Sequence, residues 1–129
     1  MKKFPLIARI VLGSIFSIFG LAGLLQMMPP PANMPIGMET FLKGLMASKY
    51  FFPLLKITET VSGLLLLSGF FVPLALVVLA PIVVHIFFVH VFLMPDGLMM
   101  ALVICVLELY LCFFAKPYSS TVKKLFSAK

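Results

Sequence analysis

Two cysteines are all the chain has, and neither is placed for chemistry. Cys105 and Cys112 stand seven residues apart in one apolar segment. On a helix that spacing is a rise of about 10.5 Å. A disulfide needs Cα atoms within about 7 Å, so the two cannot bridge each other there. No CxxC pair and no His/Cys cluster of zinc spacing occurs. His85 and His90 lack the i,i+4 spacing and the third ligand of a familiar zinc site, and no metal is expected. No haem, flavin or iron–sulfur motif is present. No serine or cysteine nucleophile sits beside a base in a recognisable motif, so catalysis by the chain in isolation is not expected. A repeat of solenoid period is missing. So is a basic stripe interleaved with aromatics: the net charge of +6 comes from residues gathered at the chain ends, which excludes nucleic acid as a partner.

What the chain has in quantity is apolar side chains. They make up 63% of its 129 residues, and the mean hydropathy is +1.21. A chain this short cannot hide so much apolar surface from water. Lipid is its natural solvent, and the bilayer is its first partner.

Four apolar runs are long enough to span a bilayer as helices: 6–28, 53–72, 73–94 and 98–115. The first follows Lys2 and Lys3, as a signal peptide would. It is too long for the apolar core of one, and no A-x-A cleavage site ends it, so a retained helix is expected. Arg9, Gly13, Ser17 and Gly20 share one face of it, and small residues at that spacing let helices approach closely. The stretch MMPPPANMP at 27–35, with four prolines, reads as an exposed connection. Residues 37–50 differ again. Met38, Phe41, Leu42, Leu45 and Met46 recur at helical spacing, while Glu39 and Lys43 share another face. This predicts a short amphipathic helix at the membrane interface, anchored by Tyr50, Phe51 and Phe52. Residues 116–129 read as a basic tail. The fold class is therefore all-α and integral to the membrane: one four-transmembrane-helix bundle over 1–129, with a short interfacial amphipathic helix between helices 1 and 2.

Seven basic residues (Lys2, Lys3, Arg9, Lys116, Lys123, Lys124, Lys129) flank the side that carries both termini. Three (Lys43, Lys49, Lys56) flank the other. The positive-inside rule then places both termini in the cytoplasm.

The polar residues inside the spans are the candidate site. Counted from the outer side, Lys56 lies about 4 Å in, His90 about 7 Å, Glu59 about 9 Å, His85 about 15 Å and Glu108 about 16 Å. Ionisable groups at such depth cost several kcal/mol unless paired or hydrated. The levels suggest Glu59 with His90 and His85 with Glu108. His85 and His90, about 140° apart around a helix, are not expected to face one partner. Lys56 and Glu59 at i,i+3 also suit a pair of their own, and Arg9 is a rival partner for Glu108. Together Lys56, Glu59, His85, His90 and Glu108 form a candidate polar cavity opening outward. A quinone head group, a proton or another small hydrophobic ligand would suit it, since histidine exchanges protons near neutral pH. The bland alternative is a bundle glued by buried polar contacts.

The order of motifs brings a family into view. ARIVLGSIFSIFGLAGLL at 8–25, YFFPLLKITETVSGLLLLSGFFVPLAL at 50–76, PIVVHIFFVHVFLMPDG at 81–97 and ELYL at 108–111 resemble the DoxX and DoxX-like family of small bacterial four-helix membrane proteins. The most distinctive piece is Lys56, Glu59 and Gly63, followed by Gly69 and Pro73. The resemblance implies a bacterial inner-membrane location. Founding members of the family look like membrane subunits of a thiosulfate:quinone oxidoreductase, and others are linked to oxidative-stress complexes. It implies an accessory, quinone- or lipid-facing subunit that needs a membrane or soluble redox partner to carry electrons, with a homo-oligomer allowed. A small proton-coupled transporter and a purely structural assembly partner are the competing classes.

Overall fold

The structure is a computed structural model that describes residues 3–25 and 34–125. Among the described residues six α-helices run in order: α1 (Phe4–Leu24), α2 (Ile36–Ala47), α3 (Phe51–Ser68), α4 (Val72–Phe92), α5 (Leu98–Phe113) and α6 (Lys116–Lys124). A 3-10 turn, Pro95–Gly97, leads into α5. Among the described residues there is no strand. Most of the proline-rich connection expected at 27–35 lies outside the described residues; its last two, Met34 and Pro35, are not helical.

Four of these helical stretches are long and apolar enough to cross a membrane. At most 28% of the most apolar window of each is buried inside the protein. Much of the remainder, including Ile18, Leu64, Val106 and Phe92, points outward. Water would not tolerate that surface, so lipid must cover it. The chain is a multi-pass membrane protein.

Close approach of α1 and α3 organises the bundle, and the two run antiparallel. At their crossing, a Cβ on Gly13 would lie 2.9 Å from the Gly63 carbonyl oxygen, and one on Gly63 would lie 2.6 Å from the Ser17 amide nitrogen. Backbones this near gain van der Waals contact that lipid tails cannot supply. The shared face of Gly13, Ser17 and Gly20 is thus a packing face.

The α3–α4 turn is tight, three residues from 69 to 71. Gly69 ends α3 in the left-handed region (φ 84°), and its N–H bonds the Leu65 carbonyl at 3.0 Å. The Arg9 guanidinium lies over it, with Nη1 2.7 Å from where a Cβ would stand. A cation at this helix end also meets the negative end of the helix dipole. Gly69→Ala is expected to lower stability by about 1–2 kcal/mol from the left-handed conformation alone, with displacement of Arg9 adding to it. The thermal midpoint in nanodiscs checks this; an unchanged midpoint would contradict the Arg9–Gly69 contact.

The largest fully buried side chains (Leu12, Leu66, Val72, Leu76, Leu79, Leu111 and Val122) all lie toward the end of the bundle where α1 begins and α6 sits. The opposite end is looser. At the tight end, residues 116–124, part of the expected tail, are in fact the helix α6. Tyr118, Val122 and Leu125 recur at helical spacing, which turns Val122 (2% exposed) into the core. Arg9 Nη1 donates to the Tyr118 hydroxyl at 3.3 Å, fastening α6 to the start of α1.

Candidate functional site

At the loose end a cavity of about 290 Å³ opens between α1, α2, α3, α4 and α5. Four of the five residues expected to form a polar cavity line it: Lys56, Glu59, His85 and His90.

Lys56 and Glu59 form an ion pair at 3.1 Å on one face of α3. Local sequence makes room for both. A Cβ on Gly23 would strike the Lys56 stem at 2.7 Å, and one on Gly20 would lie 3.2 Å from Glu59 Cβ. Lys56 Nζ also stands 5.6 Å from the centroid of the Phe52 ring, a cation–π contact. Glu59 is 5% exposed, so the ammonium is its chief compensation for leaving water.

His85 is within electrostatic reach of Glu59. Its ring meets Phe41 of α2 at 5.3 Å between centroids. His90 Nδ1 donates to the Ile86 carbonyl at 2.8 Å. In the neutral ring that leaves Nε2 as an acceptor. Gly97 abuts this ring, and a Cβ there would collide with it. The amphipathic α2 closes the cavity with its apolar face, Met38, Phe41, Leu42 and Leu45. Its other face carries the exposed Glu39–Lys43 pair at 3.1 Å.

Three expectations from spacing are corrected. Glu59 pairs with Lys56 and not with His90, because i,i+3 neighbours on one helix meet without any tertiary adjustment. His85 and His90 both line this cavity. Glu108 lies in a different place. It lines a separate groove between α4 and α5, where its Oε2 accepts from Cys112 Sγ at 3.2 Å. No ion pair joins it to Arg9, whose guanidinium turns instead to Tyr118. Residue spacing leaves rotation around the helix open, and Glu108 does not share the direction of His85.

Gly23, Gly97 and Tyr118 were not singled out from the sequence as site or packing residues, and Phe52 was read only as an interfacial anchor. Only the i,i+3 spacing of Gly20 and Gly23 carried a signal, as an extension of the Gly13–Gly20 face. Among the described residues no group of three or more His, Cys, Asp or Glu could hold a metal ion.

No curated protein and no solved structure matches the chain. A model of one family, described as DoxX, matches residues 4–91. That stretch holds every polar residue of the cavity and stops short of α5 and Glu108. With about two thirds of the sequence covered by this one match, the chain belongs to the DoxX family.

Proposed function

We propose that this DoxX protein is an accessory subunit of the bacterial inner membrane whose cavity takes the head ring of a quinone. Both termini lie in the cytoplasm and the cavity opens toward the outer side, following the basic residues. What carries the reading is one juxtaposition: the Lys56–Glu59 pair and two histidines set into an otherwise apolar, aromatic-walled cavity of about 290 Å³. A quinone ring has apolar faces and two carbonyl oxygens at opposite edges. Phe41 and Phe52 supply walls for the faces. Lys56 Nζ and a ring N–H of His85 supply donors for the oxygens.

Reduction of a quinone to a quinol takes up two electrons and two protons. In this reading a partner redox protein delivers the electrons. Glu59, His85 and the Lys56 ammonium form the proton path, refilled from the aqueous side. The ion pair does double service, keeping Glu59 tolerable in the membrane and placing an ammonium at the cavity wall.

The test is extraction and binding. Protein purified in mild detergent is expected to carry quinone in stoichiometric amount by mass spectrometry. A short-chain quinone analogue titrated calorimetrically into nanodiscs is expected to bind at least tenfold more weakly to His85→Ala and Glu59→Gln, about 1.4 kcal/mol or more. If no quinone copurifies and both variants bind the analogue like the native chain, the proposal fails. Proton-coupled solute flux in proteoliposomes that requires Glu59 would instead favour a transporter.

A further inference from the structure

The groove between α4 and α5 is unused by this reading. It has a volume of about 450 Å³. Val77, Ala80, Val84 and Phe88, spaced by three or four residues, supply its α4 wall. His85, Ile86 and Val89 lie on the opposite face of that helix, toward the other cavity. The two sites are therefore back to back across α4. Val84 and Leu109, each 53% exposed, stand at the mouth, so the groove opens sideways to lipid. Val122 and Leu125 close its end near α6.

One carboxyl group sits in this apolar surface. Glu108 is 4% exposed. Its Oε2 accepts from Cys112, but Oε1 is buried without a hydrogen-bond partner. None of the described residues lining the groove is Lys, Arg or His. Phe87, Phe88 and Phe113 surround the same space. A lone buried acceptor, aromatic rings and no protein cation together complement a positively charged, largely apolar guest: the carboxylate oxygen takes an N–H, and the ring faces favour the charge.

We propose that this groove is a binding site for a lipophilic amine, its ammonium donating to Glu108 Oε1 and its hydrocarbon lying between α4 and α5. Glu108 stands ten residues from Leu98 at one end of α5 and five from Phe113 at the other, about 15 Å and about 7.5 Å; Val122 and Leu125 line the nearer end, which favours a free amine entering sideways over the headgroup of a bilayer lipid. The site is independent of the quinone proposal, and either can fail alone.

The test uses the full chain in nanodiscs of phosphatidylcholine, a lipid with no primary amine. A long-chain alkylamine carrying a diazirine is photolysed, and labelled peptides are mapped by mass spectrometry. Labelling is expected to concentrate on residues 77–88 and 105–113. Dodecylamine is expected to displace the label at least tenfold better than dodecanol, a comparison that needs no variant. Glu108→Gln, which keeps the shape, is expected to cut labelling at least tenfold, as is Ala80→Trp, which fills the groove and leaves Glu108 intact. Labelling spread evenly over lipid-facing residues such as Ile18 and Leu64, or equal competition by the alcohol, overturns the proposal. So does displacement by added phosphatidylethanolamine, which would assign the groove to a lipid headgroup, or a cross-link to a second copy of the chain across it.

Discussion

Gly63→Ala is expected to destabilise the protein while Gly44→Ala stabilises it, although the chemical change is the same. Both glycines sit inside helices, where alanine is intrinsically better by about 1 kcal/mol. At Gly44 a Cβ would meet nothing within 4 Å, so α2 should keep that gain. At Gly63 the Cβ would lie 2.6 Å from the Ser17 amide nitrogen and 2.9 Å from the Gly13 carbonyl oxygen. These are backbone atoms of α1, and no rotamer change moves them aside. The helices must separate, and overpacking of this kind costs about 1–3 kcal/mol. Separation also forfeits contacts along the whole α1–α3 seam, including the spaces at Gly20 and Gly23 that hold Glu59 and Lys56. Gly63→Val should be worse, with loss of the folded bundle. Thermal midpoints in nanodiscs decide the matter. A Gly63→Ala variant as stable as Gly44→Ala would mean that α1 and α3 do not cross where the structure puts them.

The second large effect is an asymmetry. Lys56→Met is expected to cost about 3–5 kcal/mol, because it leaves the Glu59 carboxylate buried without its partner. Glu59→Gln should cost less. The Lys56 side chain is 20% exposed against 7% for Glu59, and a freed lysine near a helix end can extend toward water. The Phe52 ring continues to favour its charge. The double variant Lys56→Met, Glu59→Gln is expected to be more stable than Lys56→Met alone, since a neutral amide is cheaper to bury than an unpaired carboxylate. A double-mutant cycle on unfolding measures the coupling. Additive single effects would show that the 3.1 Å pair contributes nothing, and the argument for a preformed polar wall would go with it.

These two predictions draw on different kinds of information. The α1–α3 seam was half legible beforehand. Gly13, Ser17 and Gly20 at helical spacing declare a face that packs, but nothing in the sequence says that Gly63 receives it. The Lys56–Glu59 pair was legible as one of two pairings for Glu59, because i,i+3 neighbours on one helix meet by local geometry alone, while depth pointed to His90. The contacts of His90 with Gly97 and of Arg9 with Tyr118 were not legible. Each joins residues whose separation along the chain carries no information about their distance in space. The helical part of the tail, α6, was hidden for another reason. Tyr118 and Val122 are too few apolar residues to mark a helix until α4 and α5 supply the surface they pack on.

From the sequence alone came the solvent of this fold, the count of membrane-crossing helices and the amphipathic character of α2. All of these follow from composition and a fixed rise per residue. The three-dimensional packing decided how each helix is rotated. That rotation turns His85 toward Glu59 and Phe41, and it turns Glu108 away into a groove of its own. Position along a helix is a coordinate on one axis, set by local geometry. Direction around the axis is set by which neighbours fit, and here Gly13, Gly20, Gly23 and Gly63 did the fitting.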